Sequence, residues 1–300
     1  MQPTASFMKS PGLILAAVAV SVFFTQCTSD NNKSPVSKKK TASQKQRKAP
    51  PSFTYTLDTT KQWFKKNDSS LTTHQREILM AVNRTDANNL KKLPAIIVPS
   101  DMSGDVEYYM GFPLNMPSLE EVDKIIFFSY PLQTFAAYDH GELVYSGPTN
   151  MGRKKDPTPE GLYFTNWKAE QTTSTFNDEW DLKWNFNIEN KEGIGFHQYE
   201  LPGYPASHSC LRLQEKDAKF LYNWAEKWEL KGSDDILAKG TPVVVFGTYP
   251  FDGEKPWLQL AKDPKALDIS SKELEAVSDK YLDNIMTEQK KRADYLSSKK

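Results

Sequence analysis

Cys210 is preceded closely by two of the chain's four histidines, His197 and His208. An unperturbed thiol, with a pKa of about 8.5, is only slightly ionised at neutral pH. A neighbouring imidazole can take the thiol proton and later protonate a leaving amine. These residue types therefore suit acyl transfer, with Cys210 as the nucleophile and a neighbouring imidazole as the base.

Three other interpretations of Cys210 stay open on the residues alone. It could be an inert buried cysteine, or it could form a disulfide with Cys27, the only other cysteine in the sequence. It could also join His197 and His208 in a zinc site, because imidazole and thiolate are good zinc ligands. The sequence has no paired-cysteine spacing to support zinc, and we expect neither a metal nor a cofactor.

The motif around Cys210 resembles a known family signature. His197 is followed, after a gap, by Ser-His-Ser-Cys-Leu-Arg over residues 207–212. This resembles the L,D-transpeptidase (YkuD-type) signature of His, a gap, then Ser/Thr-His-Gly-Cys, an aliphatic residue and Asn or Arg. Residues 133–144, 152–161 and 240–245 resemble the opening strands, the Gly…Thr-Pro-x-Gly turn and the closing strand of that domain. The resemblance covers about residues 122–247.

The resemblance implies a two-step reaction on peptidoglycan stem peptides, donor and acceptor. Cys210 would attack the carbonyl between the third and fourth residues of a tetrapeptide stem and release D-alanine. An amine of a second stem would then resolve the thioester as a 3→3 cross-link. His197 would be the base, oriented by the Gln198 carbonyl. The resemblance also implies that His208 is a supporting ring beside the thiol and that the backbone N–H groups of Ser209 and Cys210 bind the oxyanion. Ser207 and Arg212 would orient the site or bind the substrate.

Ser209 departs from the family, which has glycine before the cysteine. If this position needs a positive φ, a side chain there costs about 1 kcal/mol and could tilt an oxyanion N–H. If the backbone is extended, serine is harmless. The alternative functions are an L,D-carboxypeptidase, an enzyme that attaches or releases proteins on stem peptides, and a catalytically impaired wall-binding lipoprotein.

Short β-type segments must position these residues. The resemblance implies an α+β, β-rich fold, a sandwich of two mixed sheets with peripheral helices, over residues 121–249. His140 lies in a hairpin turn, and aromatics at helical spacing predict a helix over 217–228. Residues 166–192, with Trp167, Trp180 and Trp184, would form a lid, or simply pack. The predicted strands are 125–128, 134–138, 143–146, 161–165, 193–198 and 242–246.

Two further modules flank this domain. In residues 53–120, Thr72 and Gln75 have capping-box spacing and start a helix through Val82, and 93–99 predicts a strand. His74 would lie on the surface of that helix. The stretch 78–99 resembles the second half of a LysM peptidoglycan-binding repeat; the alternative is a packing subdomain. In the extension 250–300, Ser270 caps a helix whose inner face carries Leu274, Val277, Tyr281 and Ile285.

The first 52 residues predict export. An apolar run of about thirteen residues, 12–24, is too short to span a bilayer and is typical of a signal peptide ending at 27. Cys27 resembles a lipidated cysteine, although Gln26 fits that signal poorly; plain secretion and an uncleaved anchor are the alternatives. Residues 28–52 predict a disordered basic tether. We therefore expect a membrane-anchored lipoprotein of the cell envelope, facing the periplasm.

The distribution of charge argues against a nucleic-acid partner. Eight of the 38 basic residues and one of the 38 acidic residues precede Phe53. Residues 53–300 therefore carry a net charge of −7. A nucleic-acid-binding domain would instead carry a basic face. The sequence does not indicate an oligomeric state.

Overall fold

The leading segment forms a strand–helix–helix–strand unit in the computed structural model, which describes residues 47–173 and 181–299. Its two strands pair antiparallel, from Tyr55 opposite Pro99 to Thr59 opposite Ala95. The predicted capping box is present, because the Gln75 N–H donates to Thr72 Oγ1 and the Thr72 N–H donates to Gln75 Oε1. The four elements are β1 (Tyr55–Thr59), α1 (Thr60–Asn67), α2 (Thr73–Val82) and β2 (Ala95–Pro99).

The described end of the predicted tether lies against the folded body. The Lys48 N–H donates to Asp105 Oδ2 at 2.9 Å, and the Asp105 N–H donates back to the Lys48 carbonyl at 3.0 Å. All described residues belong to one compact unit, Lys45–Lys300. The predicted signal peptide and Cys27 lie outside the described residues. Within 47–173 and 181–299, none of the helices has the length and apolar character needed to cross a bilayer.

A nine-stranded mixed sheet carries the central domain and confirms the predicted β-rich α+β class. Its order is β6-β13-β3-β4-β5-β10-β9-β8-β7. Only the β13–β3 and β10–β9 pairs are parallel. The strands are β3 (Lys124–Ser129), β4 (Thr134–Asp139), β5 (Glu142–Asn150), β6 (Gly161–Phe164), β7 (Lys168–Thr173), β8 (Asp181–Glu189), β9 (Ile194–Gln198), β10 (Leu211–Leu213) and β13 (Pro242–Phe246).

The two predicted sheets are continuous through β5, which pairs with β4 along most of its length and with β10 near its end. The sheet curls, so that Phe128 of β3 stacks on Phe196 of β9 at 6.2 Å although three strands separate them. Both rings are fully buried. Apolar residues inside the curl therefore form one core, and the opposite face of β9 and β10 is available for polar chemistry.

The predicted turn between β4 and β5 has His140 at φ 48° and Gly141 at φ 76°. Two successive positive φ angles are typical of the type I′ turn that suits a two-residue hairpin. A side chain at Gly141 would place its Cβ 2.3 Å from the Met116 carbonyl oxygen. Glycine is therefore required at this position by both the backbone angle and the close approach.

The C-terminal helix prediction is partly wrong. The capping box at Ser270 is present, but the helix ends at Ser278 and a second begins at Leu282. The Tyr281 N–H bonds to the Ser278 carbonyl in the turn between them. Leu274 and Ile285 nevertheless remain buried in one apolar cluster. The remaining elements are α3 (Glu215–Trp224), a hairpin of β11 (Glu229–Lys231) and β12 (Asp235–Ala238), α4 (Ser271–Ser278) and α5 (Leu282–Ser298).

Asp217 is a buried carboxyl on α3 and gives the first testable prediction. Tyr145 donates to its Oδ1 at 2.7 Å, and among the described residues its Oδ2 has no hydrogen-bond partner. Burial raises the pKa of Asp217 to about 7. The folded state therefore retains a proton that the unfolded state loses above about pH 4, and stability falls as pH rises from about 4 to 7. Asp217→Asn should remove this penalty.

We expect Asp217→Asn to raise the free energy of unfolding by about 2–4 kcal/mol at pH 8 and by much less at pH 4. Urea denaturation at both pH values measures the difference. Equal effects at pH 4 and pH 8 would contradict a protonated carboxyl in the folded state.

Candidate active site

The adjacent parallel strands β9 and β10 bring the predicted nucleophile and base to one cavity. Arg212 lies opposite His197 in the register. Because side chains alternate along a strand, Cys210 and Arg212 point to the same face, away from the buried Leu211 and Leu213. His197, Cys210 and Arg212 all line one cavity of about 260 Å³.

His197 lines this cavity and is 3% exposed. Its Nδ1 is 3.0 Å from the Gln198 carbonyl oxygen, the contact that the family resemblance implied. A carbonyl can only accept, so we infer that the neutral ring carries its proton on Nδ1 and leaves the Nε2 lone pair free. Burial lowers the pKa of His197 to about 4, against the effect of the Gln198 hydrogen bond. The ring is therefore an uncharged base at pH 7.

Cys210 is a free, partly exposed thiol. Its Sγ lies 3.8 Å from the Gly193 carbonyl oxygen. Burial raises the pKa of the Cys210 thiol, and the Gly195 backbone and Arg212 only partly oppose this. The thiol is therefore protonated at neutral pH, and its chemistry requires a base. In the described parts of the chain, no group of three His, Cys, Asp or Glu side chains is arranged to hold a metal ion.

Arg212 presents its charge to the cavity. Its guanidinium lies 4.4 Å from the centre of the Tyr199 ring. No described carboxylate lies within ion-pair distance of Arg212, and burial lowers its pKa. A desolvated guanidinium that forms no ion pair with a carboxylate of the described residues is suited to bind a carboxylate of a ligand in a bidentate manner.

His208 is turned toward a neighbouring loop. Its Nε2 is 3.9 Å from Asp156 Oδ2, and Asp156 also binds Arg153 at 2.6 Å. Burial and the nearby Arg153 charge lower the pKa of His208. The ring lines the cavity and is more than a third exposed. It therefore adds a polar wall beside the thiol.

A polar wall contributed by β8 was not predicted from the sequence. Asn185 and Asn187 are both nearly buried and line the cavity, while Phe186 between them enters the core. The alternation Asn-Phe-Asn-Ile was the available signal for a strand with one polar face. A Cβ at Gly195 would lie 2.8 Å from the Phe186 carbonyl oxygen, so glycine allows β8 and β9 to approach closely here.

The predicted lid is only partly described. Trp167 lines the cavity, and its indole N–H donates to Asn190 Oδ1 at 3.2 Å. Trp184 does not line the cavity; its ring packs edge-on against Tyr222 of α3 at 5.5 Å. For Trp184 the packing alternative therefore holds. Trp180 lies outside the described residues.

Ser209 has a φ of 74°, in the left-handed region that favours glycine. The turn that imposes this angle is closed by Ser207, whose hydroxyl donates to the Cys210 carbonyl at 2.5 Å. The Ser209 hydroxyl donates to the Pro157 carbonyl at 3.1 Å. This hydrogen bond offsets part of the strain, which is about 1 kcal/mol for a side chain in this conformation.

Two variants of Ser209 should separate the strain from the hydrogen bond. Both Ser209→Gly and Ser209→Ala remove the hydroxyl, but only alanine keeps the strained Cβ. We expect the glycine variant to be more stable than the alanine variant by about 1 kcal/mol, measured by urea denaturation. Equal stabilities, or a more stable alanine variant, would mean that residue 209 is not held at positive φ in solution.

Comparison with known proteins gives a match to one family. The model of the L,D-transpeptidase catalytic domain (YkuD) matches residues 123–245. An L,D-transpeptidase (Yku) from Stackebrandtia nassauensis is 23% identical over 43% of this chain and 58% of that chain, with a TM-score of 0.35. An L,D-transpeptidase from Mycobacterium tuberculosis H37Rv is 23% identical over 42% of this chain and 58% of that chain, with a TM-score of 0.34.

An L,D-transpeptidase from Mycobacterium smegmatis is 18% identical over 42% of this chain and 59% of that chain, with a TM-score of 0.33. The chain thus spans less than two thirds of the length of each of these structures. No curated protein matches it.

Proposed function

We propose that this chain is a cysteine acyltransferase acting on peptidoglycan stem peptides, because residues 123–245 match the model of the L,D-transpeptidase catalytic domain. The observation that carries the proposal is the cavity that Cys210 shares with an uncharged His197, which lies on β9 while Cys210 immediately precedes the adjacent strand β10. A protonated thiol that shares a cavity with a neutral imidazole is the starting state for base-assisted nucleophilic attack.

In the proposed first step, His197 Nε2 takes the thiol proton as Cys210 Sγ attacks the carbonyl carbon of the third stem residue. The carbonyl becomes an oxyanion, and the backbone N–H groups of Ser209 and Cys210 are the proposed donors to it. The C–N bond to the fourth residue then breaks. The imidazolium returns its proton to the departing nitrogen, so that D-alanine leaves and a thioester remains.

In the proposed second step, an amine of a second stem peptide attacks the thioester carbonyl. His197 accepts the amine proton, the C–S bond breaks, and the thiolate regains that proton. The product is a 3→3 cross-link and the free enzyme. Arg212 is the proposed partner of a substrate carboxylate, since its charge faces the cavity over Tyr199.

We also propose that the chain acts in the cell envelope as a lipoprotein anchored through Cys27. The support is the sequence of residues 12–27, an apolar run followed by cysteine. An enzyme that modifies the cell wall must be exported, and the predicted signal sequence at residues 12–27 is consistent with export. Mass spectrometry of the mature N-terminus tests the proposal: a diacylglyceryl mass on Cys27 supports it, and an unmodified cleaved terminus rejects it.

Incubation with a tetrapeptide stem donor, with and without a second stem as acceptor, tests the reaction. We expect D-alanine release and a cross-linked product whose mass equals donor plus acceptor minus D-alanine. D-alanine release with only a tripeptide product, even with excess acceptor, would replace the proposal with an L,D-carboxypeptidase. No release from any tetrapeptide donor would reject both activities.

A further inference from the structure

Thr158 has a buried hydroxyl that joins two backbone groups near the nucleophile. The residue is 2% exposed. Its Oγ1 accepts the Gly152 N–H at 2.9 Å and donates to the Ser209 carbonyl at 2.9 Å. Thr158 does not line the cavity. This hydroxyl therefore acts on the site through backbone groups, and its direct link to the peptide of the nucleophile is the Ser209 carbonyl.

The Ser209 carbonyl and the Cys210 N–H belong to the same peptide unit. A trans peptide is planar, and its C=O and N–H point in opposite directions. Holding the carbonyl on Thr158 therefore points the Cys210 N–H away from the loop that carries Thr158. Rotation of this peptide about its neighbouring bonds would break the hydrogen bond to Thr158.

The anchor for this hydrogen bond is itself rigid. Gly152 forms a parallel bridge with Ser207, and the Arg153 N–H donates to the Ser207 carbonyl at 3.0 Å. The Tyr130 hydroxyl donates a hydrogen bond to the Gly152 carbonyl. A Cβ on Gly152 would lie 2.3 Å from the Asp156 carbonyl oxygen, so the 152–158 loop closes tightly on itself. Thr158 thus links the turn of residues 207–210 to the 152–158 loop, whose backbone is held by these close contacts.

We infer that Thr158 is a positioning residue, which fixes the Ser209–Cys210 peptide so that the Cys210 N–H is aimed at the developing oxyanion. This inference rests on the proposed acyl transfer. Preorganised donors are most valuable where charge develops in the transition state, and loss of one such donor typically costs about 10²–10³-fold in rate. His197 lies on β9 and Cys210 immediately precedes β10, and the two hydrogen bonds of Thr158 go to backbone groups and not to either of these side chains.

Two reactions of the Cys210 thiol distinguish a misdirected Cys210 N–H from general damage to the site. A carbapenem acylates the thiol: sulfur adds to the β-lactam carbonyl, the C–N bond breaks, and the nitrogen takes the proton. This reaction passes through an oxyanion. Iodoacetamide alkylates the thiol by displacing iodide and forms no oxyanion. Both rates follow from intact mass against time.

Thr158→Val keeps the shape of the side chain and removes the hydroxyl, while Thr158→Ser keeps the hydroxyl. We expect the valine variant to be acylated about 10²–10³-fold more slowly than the wild type. Its alkylation rate should stay within about twofold, since that reaction needs no oxyanion donor. The serine variant should regain most of the acylation rate. Acylation of the valine variant at the wild-type rate, or equal losses in both reactions, would overturn the inference.

The amide resonance of Cys210 keeps the inference testable if the wild type resists acylation. That result would count against the proposed function alone. A Cys210 ¹⁵N–¹H shift that moves in Thr158→Val and returns in Thr158→Ser would still support the fixed peptide. A shift unchanged in both variants would reject it.

Discussion

Replacing Cys210 with alanine should reduce D-alanine release from a tetrapeptide stem to the uncatalysed background. The expected fall in kcat is at least about 10⁴-fold, the scale observed when a covalent nucleophile is removed from an enzyme. The reason is that Cys210 is the only thiol among the described residues, and it lines the same cavity as His197. Chromatographic measurement of D-alanine against time gives the rate.

Cys210→Ser is the matched control for this loss. Serine has nearly the same size, but its hydroxyl has a much higher pKa than a thiol, so a neutral imidazole activates it poorly. Both variants should melt within a few degrees of the wild type, which would show that the fold is intact. If Cys210→Ala still releases D-alanine at more than about 1% of the wild-type rate, the nucleophile is another residue.

Replacing His197 with glutamine should slow acylation of Cys210 by about 10²–10⁴-fold at pH 7, the range expected for loss of a general base. Glutamine can still donate to the Gln198 carbonyl but cannot take the thiol proton. The wild-type acylation rate should fall on acidification with an apparent pKa of about 4, because the base is active only when neutral and burial lowers the pKa of His197 to about 4. Intact-protein mass spectrometry of reactions quenched at set times, from about pH 3.5 to about pH 8, measures both effects.

His140→Gln is the control histidine variant, since His140 lies in an exposed hairpin turn. It should leave the acylation rate and its pH profile unchanged. The His197 variant should lose the acidic limb together with the rate. A wild-type profile with its acidic limb near pH 6.5 would indicate a solvated imidazole, and the desolvated base described here would be wrong.

Local patterns predicted the elements whose residues alternate or cap in a simple way. The strand Pro242–Phe246 and the capping boxes at Thr72 and Ser270 agree with the structure. The antiparallel pairing of β7 with β8 was not predicted, because Lys168–Thr173 has no apolar alternation. The break between α4 and α5 was also missed, because the inner face stays apolar through both helices and the pattern does not register a short turn.

The candidate site was predictable where neighbours in sequence are neighbours in space. Gln198 follows His197 directly, and its carbonyl contact was expected from the family resemblance. The backbone angle of Ser209 was not predictable, because it depends on the turn that Ser207 closes. Thr158 precedes Ser209 by 51 residues, and the Gly152–Ser207 bridge brings the two segments together. Such a contact follows from topology and not from local pattern.

Intact mass spectrometry of the protein after brief exposure to a carbapenem tests most directly whether the residue-210 sulfur is an activated acyl acceptor. We predict a single covalent adduct of the drug's mass, mapped by peptide digestion to the segment that contains Cys210, and no adduct in Cys210→Ala. An unmodified wild-type mass after prolonged exposure, or the same adduct in the alanine variant, would contradict the account.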